Sequence, residues 1–210
     1  MVKAEIKNII FDLGGVILNI DYHLTIQAFQ ELGVPNFQEL YTQANQNNVF
    51  DDFETGKIPS HAFLSYMKAQ SKMNISSDQI MEAWNAMLLD LPKKRLEQLK
   101  ILKSNFNLFL LSNTNEIHVE AFKKIISTNF GSYWFEDVFD QVYFSNEIGL
   151  RKPNKEIFDF VLEKNRLKKS ETIFFDDSIQ HIEGAELVGI QSYLITKEKP
   201  FDFYLSSFLS

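Results

Sequence analysis

The sequence contains no cysteine, no long run of lysine or arginine, and no apolar stretch long enough to span a membrane. The absence of cysteine excludes disulfide bonds, thiolate chemistry and cysteine-ligated zinc, and it fits a reducing compartment. The N-terminal residues show no secretory hydrophobic segment, and no internal repeat or low-complexity tract follows. We therefore expect a cytoplasmic protein without a membrane partner.

The charge balance indicates which partners the chain can bind. A formal net charge of −7 without a basic cluster argues against nucleic-acid binding through phosphate neutralisation, but it is compatible with small anionic ligands. With 45% hydrophobic residues and 20 phenylalanines among 210 positions, the chain can bury a large core. That length fits one domain with a substantial insertion.

Short apolar segments recur along the chain and predict strands at residues 7–16, 106–111, 141–144, 172–175 and 192–195. Segments with helical periodicity separate them. The first segment is nearly continuous in apolar residues, which is typical of a strand buried on both faces. This alternation predicts an α/β fold with a doubly wound parallel sheet.

Residues 19–89 interrupt the alternation, because they contain several amphipathic helix patterns and no convincing strand. We predict a helical cap domain over these residues and a catalytic core formed by residues 1–18 and 90–210. The chain would thus leave the core after the first strand and return near residue 90.

Within the predicted cap, a helix is expected over residues 22–32 and another begins near Ser60. Ser76, followed three residues later by Gln79, forms a capping-box pattern at the start of a third helix. The Asn/Gln-rich residues 43–48 are expected to form a helix end.

Asp12 is the first candidate catalytic residue. It directly follows the apolar residues 9–11 and precedes Gly14 and Gly15. A carboxylate at the end of a buried strand is a common way of presenting a nucleophile in an α/β sheet. The glycines allow the backbone to turn sharply and let a ligand approach closely.

Three further groups of chemically active side chains follow predicted strands. Ser112 and Asn113 precede a helix, whose N-terminal amides suit an anion, and Lys152 offers a compact positive charge. Asp176 and Asp177 form an acidic pair near the core, and the two carboxylates would repel each other unless a cation or protons intervened. Mg²⁺ is the expected ion, since it prefers oxygen ligands and often bridges to phosphate. Each group alone would fit an ordinary helix cap or surface residue, but their joint order favours one shared site.

Taken in order, these residues closely resemble the motifs of the haloacid dehalogenase-like (HAD) hydrolase superfamily. The resemblance spans nearly the whole chain and implies a Rossmann-like core, a mobile helical cap and Mg²⁺ as cofactor. It implies that Asp12 attacks phosphorus and becomes an aspartyl phosphate. The resemblance also implies that Ser112 and Asn113 hold the phosphoryl oxygens, that Lys152 neutralises charge, and that Asp176, Asp177 and the backbone carbonyl of Gly14 join Asp12 around the metal.

A Mg²⁺-dependent phosphatase that hydrolyses a small phosphorylated metabolite is the activity that the resemblance implies. Motifs such as Arg151-Lys152-Pro153 look most like the glucose-1-phosphatase-like branch, which suggests a sugar 1-phosphate. A dehalogenase is the alternative enzyme, because its relatives also use a strand-end Asp and a Ser-Asn pair. Those relatives do not need Mg²⁺, so the acidic pair favours phosphate chemistry. His181 departs from the family pattern, in which Asn is frequent at that position.

Gly14 is a second departure, because many family phosphatases carry an Asp there as general acid and base. Three hypotheses are open. In the first, the leaving group needs little protonation, as with an anomeric hydroxyl. In the second, Asp21 or His23, near the entry to the cap, supplies the proton. In the third hypothesis, the chain has lost turnover and serves as a regulatory module that binds a phosphorylated ligand.

Substrate selection is expected to depend on the turn at residues 53–59, between two cap helices. Glu54 in this turn and Asp21 are the candidate substrate-binding residues. Glu54 would bind sugar hydroxyls, and a solvated turn acid is the alternative interpretation.

Several neighbouring residues are interpreted as structural. Asp51 and Asp52 are expected to face solvent. Arg151 is expected at the surface, and assistance to Lys152 is the alternative. Trp84 and Met87 fit a helix stripe and are expected in the cap core. The histidines show no zinc-ligand spacing.

Overall fold

A single parallel sheet forms the centre of the molecule. The computed structural model describes residues 5–42, 49–131 and 134–205. Within these residues the strands are β1 Asn8–Phe11, β2 Asn107–Ser112, β3 Gln141–Phe144, β4 Thr172–Asp176 and β5 Gln191–Leu194. Their order in the sheet is β3-β2-β1-β4-β5, and every neighbouring pair is parallel. This arrangement confirms the predicted doubly wound α/β fold.

Helices cover both faces of the sheet. The α-helices in the described parts of the chain, including those of the segment between β1 and β2, are α1 Tyr22–Glu31, α2 Phe37–Thr42, α3 Val49–Glu54, α4 Ser60–Gln70, α5 Ser77–Asn85, α6 Lys93–Lys103, α7 Glu116–Phe130, α8 Trp134–Val138, α9 Ser145–Ile148, α10 Lys155–Lys164, α11 Ile179–Val188 and α12 Phe201–Leu205. Ile9 and Phe11 pack with α6 and α7 on one face, whereas Ile10 packs with α10 and α11 on the other. Because alternate side chains point to opposite faces, burying both faces requires the continuous apolar strands seen in the sequence.

The first strand is shorter than predicted. It ends at Phe11 rather than continuing to residue 16. The chain then turns, with Gly15 at a φ of 71° and with the carbonyl of Leu13 accepting hydrogen bonds from the amides of Ile17 and Leu18. This loop is itself buried in the core, so its apolar composition imitates a continuing strand.

The segment between β1 and β2 is helical. Helices α1 to α5 share a core of their own around Phe29, Phe63 and Trp84, and the expected capping box of Ser76 and Gln79 is present. Helix α1 matches the predicted helix over residues 22–32, and α4 begins at Ser60 as expected.

The boundaries of the predicted cap domain stay a prediction, although Ile20 and Leu88 form an antiparallel bridge close to both of them. The helix end expected at residues 43–48 lies outside the described residues. None of the helices in the described ranges combines the length and apolar character needed to cross a bilayer.

Candidate active site

The carboxyl ends of three neighbouring strands bring the predicted site residues together. Strand β1 lies between β2 and β4. Ser112 ends β2, Asp176 ends β4, and Asp12 follows the last residue of β1. The backbone amide of Asp12 donates to the carbonyl of Phe175 at 2.9 Å. Parallel pairing therefore places these three side chains at one edge of the sheet, where α/β folds bind their ligands.

Lys152 lies beneath this edge and links two of the carboxylates. Its Nζ is 2.6 Å from Oδ1 of Asp12 and 2.6 Å from Oδ2 of Asp176, and the side chain is fully buried. Burial alone would lower the pKa of Lys152, but the two carboxylates outweigh it and raise the pKa. The lysine is therefore charged and provides a fixed cation at the floor of the site.

Asn113 positions the loop that carries Lys152. Its Nδ2 donates to the carbonyl of Lys152 at 2.9 Å, and its Oδ1 accepts from the amide of Lys152 at 2.9 Å. This reciprocal pair commits the Asn113 side chain to the Lys152 backbone. The structure thus gives Asn113 a positioning contact in addition to its predicted phosphate-binding role. Ser112, predicted for the same role, is buried and lines the cavity above the strand ends.

Three carboxylates form a candidate metal site. Ligand oxygens of Asp12, Asp176 and Asp177 all lie within 4.8 Å of one another. Burial raises the pKa of Asp12 to about 7, and burial together with the charge of Asp176 raises the pKa of Asp177 to about 6. Carboxylates this close together stay anionic only with a positive charge besides Lys152, and otherwise they take up protons. An all-oxygen set suits a hard divalent cation.

The arrangement of Asp176 and Asp177 depends on their immediate neighbours. Oδ1 of Asp176 lies 2.9 Å from Nδ1 of His181 and accepts from the amide of Ser178 at 2.8 Å. Burial alone would raise the pKa of Asp176, but Lys152 and His181 outweigh it and lower the pKa. His181 thus makes a hydrogen bond to the acidic pair despite its departure from the family pattern.

Gly15 makes room for Asp177. Its φ of 71° is rarely adopted by other residues, and a Cβ atom at this position would collide with Oδ2 of Asp177. The glycine therefore allows the loop after β1 to pass close to the acidic pair.

A cavity of about 230 Å³ opens above the strand ends. Asp12, Gly14, Ser112, Asn113 and Asp177 line its core side, and Tyr22, Tyr41, Glu54 and Met87 line it from the helical segment. The cavity therefore lies between the catalytic edge of the sheet and the helices predicted to form a cap. Met87, expected only as cap core, also lines this cavity, whereas Trp84 packs in the helical core as expected.

The comparisons with known proteins agree with this geometry. Residues 6–189 match the family model described as haloacid dehalogenase-like hydrolase. The chain belongs to this family. The motifs from Asp12 to Asp177 thus predicted its family correctly.

Individual members resemble this HAD-like hydrolase over almost their whole length. A D-ribitol-5-phosphate phosphatase of Bacteroides thetaiotaomicron is 30% identical, with 90% of this chain and 91% of the relative covered. A HAD family enzyme of the same organism, solved in complex with magnesium and inorganic phosphate, is 33% identical with a TM-score of 0.82 and covers 93% and 97% of the two chains. A predicted HAD-like hydrolase of Porphyromonas gingivalis is 27% identical with a TM-score of 0.86, covering 98% of each.

Arg151 and Asp51 were expected to face solvent, and the structure corrects both expectations. The Arg151 guanidinium contacts Oδ1 of Asp51, and its Nη2 lies 2.9 Å from Oε2 of Glu54. The side chains of Arg151 and Glu54 are 25% and 16% exposed, and both line the cavity. Glu54 is therefore not the solvated turn acid of the alternative interpretation. These contacts join residues about 100 positions apart along the chain, so no local sequence pattern indicates them.

Asp21 and His23 lie elsewhere. Oδ1 of Asp21 accepts from the amide of His23 at 2.9 Å and caps the N-terminus of α1. Neither residue is among those lining the cavity. The structure thus gives Asp21 a helix-capping contact, and its predicted contact with substrate stays a prediction.

The space beside Gly14 is occupied by an apolar side chain. A Cβ atom on Gly14 would lie 3.2 Å from Cδ1 of Ile20, which also lines the cavity. A side chain at position 14 would therefore require Cδ1 of Ile20 to shift by a few tenths of an ångström.

Proposed function

We propose that this HAD-like hydrolase is a Mg²⁺-dependent phosphatase that hydrolyses a small phosphomonoester through an aspartyl phosphate on Asp12. The cluster formed by Asp12, Asp176 and Asp177 around the buried Lys152 carries the proposal. It supplies a nucleophile, a fixed cation and an oxygen-rich metal site within one small cavity. The ribitol-phosphate phosphatase and the magnesium and phosphate complex among its relatives support the same activity.

Each side chain has a defined task in the first step. A carboxylate oxygen of Asp12 attacks phosphorus in line with the leaving oxygen, and the phosphorus–oxygen bond of the ester breaks. Lys152 holds the carboxylate in place and offsets negative charge, while Ser112 and the backbone amide of Asn113 bind phosphoryl oxygens. Bound Mg²⁺ would be held by the three aspartates and the Gly14 carbonyl, and it would supply charge neutralisation and orientation.

Water completes the reaction by attacking phosphorus in the aspartyl phosphate, which releases inorganic phosphate and restores Asp12. Gly14 offers no proton to the leaving group, and Ile20 fills the adjacent space. A leaving oxygen that is stable as an anion, such as the anomeric oxygen of a sugar 1-phosphate, needs the least protonation by a general acid. Measuring the rate against leaving-group pKa tests this point, because equal rates for alkyl and anomeric esters would contradict it.

Two other functions are less well supported. A dehalogenase would use Asp12 with Ser112 and Asn113, but it would leave the clustered Asp176 and Asp177 without a task. A regulatory module that binds a phosphorylated ligand without turnover would retain the same cluster, so activity measurements must separate it from an enzyme.

The experiment is a phosphate-release assay over sugar and polyol phosphates, with Mg²⁺ or with a chelator. We expect release that requires Mg²⁺ and that falls at least about a thousandfold in Asp12→Asn, because the nucleophile is lost. Asp159→Asn is the matched control, since Asp159 pairs with Lys155 on the exposed surface of α10. Full activity of Asp12→Asn would contradict the proposed mechanism, and phosphate release from no ester would favour the binding module.

A further inference from the structure

The cavity wall beside the helical segment carries a charged pair next to two phenol groups. Glu54 ends α3, and its ion-pair partner Arg151 immediately precedes Lys152 in the segment between α9 and α10. Tyr22 and Tyr41 line the same space. A phosphoryl group held at the strand ends would leave the rest of the substrate facing this wall.

The pair is fixed but not saturated with hydrogen bonds. Arg151 bridges Asp51 and Glu54, and Oε2 of Glu54 is shielded from solvent against Nη2 at 2.9 Å. Among the described residues, Nε of Arg151 has no hydrogen-bond partner, and Glu54 has no ion pair other than that with Arg151. An ionised carboxylate only accepts hydrogen bonds, so the remaining lone pairs of Glu54 can accept from a donor such as a hydroxyl group.

The turn after Glu54 holds this side chain in position. Gly56 has a φ of 67°, and a Cβ atom there would collide with the backbone oxygen of Asn146 in the core. Thr55 in the same turn is tied back to the carbonyl of Asp51 by a 2.7 Å hydrogen bond. Glu54 is therefore held against the core by packing, which preorganises it for recognition.

Charge and size restrict what the wall accepts. Asp51 and Glu54 carry two formal negative charges against the one positive charge of Arg151, so a second anionic group on the substrate would be repelled. An apolar chain would strip water from the charged pair without replacing its hydrogen bonds. The cavity of about 230 Å³ is smaller than the roughly 300 Å³ at the lower end of ordinary ligand pockets, which excludes bulky esters.

We propose that Glu54 and Arg151 are specificity-determining residues that select a small phosphomonoester with an uncharged, hydroxyl-bearing chain. The wall discriminates against phosphorylated carboxylates and against phosphates of apolar alcohols. The inference rests on the proposed phosphatase function and adds the chemistry of the organic part of the substrate.

The test compares three substrates: ribitol 5-phosphate, phosphoglycolate and butyl phosphate. For the wild type we expect the highest kcat/KM with ribitol 5-phosphate. Glu54→Met removes the acceptor at similar length, and it should lower kcat/KM for ribitol 5-phosphate by about tenfold or more, while butyl phosphate is hydrolysed at least as well as before because the charged pair no longer opposes an apolar chain. Retained hydrolysis of butyl phosphate shows that the variant is folded and catalytically intact.

Glu54→Gln tests the charge separately. It removes one negative charge, so the preference for ribitol 5-phosphate over phosphoglycolate should shrink by about tenfold. Asp52→Asn is the matched control, because Asp52 lies in the same helix and forms an ion pair with the exposed Lys57. It should leave all three substrates unchanged.

The possible failures are distinguishable. Equal losses on all three substrates in Glu54→Met, or no loss on any, would overturn the specificity role while the phosphatase function stands. An unchanged preference in Glu54→Gln would overturn the charge argument. No release by the wild type from any of the three or from other esters would overturn the proposed function itself.

Discussion

His118 makes the stability of this hydrolase depend on pH through a single buried ring. The imidazole stacks on Trp84 with ring centres 4.9 Å apart. Its Nε2 lies 3.0 Å from the carbonyl of Trp84, and its Nδ1 lies 3.1 Å from Nδ2 of Asn115. Because Nδ2 can only donate, Nδ1 must accept, and the ring is neutral with its proton on Nε2. A second proton on Nδ1 would face the Asn115 amide donor.

The size of the effect follows from the pKa. Burial lowers the pKa of His118 from 6.5 to about 4. Between these values the unfolded chain binds a proton that the folded chain does not, so the free energy of unfolding falls as pH decreases. A difference of about 2.5 pH units at about 1.4 kcal/mol each gives at most about 3.5 kcal/mol, of which about 3 kcal/mol is lost between pH 7 and pH 4, where the folded ring is itself half protonated. Above pH 6.5 the contribution is complete and constant.

Urea unfolding of the wild type and of His118→Gln at several pH values measures this contribution. The variant loses ring packing at every pH, so only the change in the difference between the two proteins matters. We expect the free-energy difference between them to shrink by about 3 kcal/mol from pH 7 to pH 4. A constant difference over this range would refute the assignment of a buried, neutral His118.

Three further perturbations test the catalytic edge. Gly15→Ala should weaken Mg²⁺ binding and lower kcat, because the new methyl group displaces Asp177 and strains the backbone. Calorimetric titration with Mg²⁺ measures the affinity, and an unchanged affinity would count against the proposed metal site. Gly14→Asp should raise kcat for alkyl phosphates by supplying a general acid, and the gain should reach about tenfold or more when Ile20→Ala also relieves the contact with Cδ1 of Ile20. A leaving-group series measures this, and no gain in either variant would contradict the account of Gly14. Because the pKa of Asp12 is raised to about 7, protons compete with the metal for this carboxylate below that pH. The apparent Mg²⁺ affinity should therefore fall by up to about tenfold per pH unit, and an affinity independent of pH between 5 and 7 would contradict the raised pKa.

Much of the fold and the grouping of the candidate site residues at one edge of the sheet was predictable from the sequence because their signals are local. Short apolar runs mark strands buried on both faces, and a polar residue directly after such a run, as at Asp12, marks the strand's end. Parallel topology then brings separate strand ends together without knowledge of any side-chain contact. The capping box of Ser76 and Gln79 was predictable for the same reason, since both partners lie within one turn.

Features that depend on contacts between distant segments were not predictable in this way. Arg151 resembled a surface residue until the fold placed Asp51 and Glu54 beside it. Asn113 resembled a ligand residue or a helix cap, and its bonds to the Lys152 backbone required the sheet and the loop together. The extent of β1 was misjudged because a buried loop needs apolar side chains as much as a strand does.

Trapping the phosphorylated enzyme tests the central claim, that Asp12 accepts the phosphoryl group, most directly. The Mg²⁺-loaded enzyme is mixed with a sugar or polyol phosphate that it hydrolyses. The reaction is quenched in acid within one turnover, and the protein is digested for mass spectrometry. We predict one added phosphoryl group on Asp12, absent when Mg²⁺ is chelated and absent in Asp12→Asn. Turnover with no phosphorylated intermediate at any quench time, or with the phosphoryl group on another residue, would contradict this account.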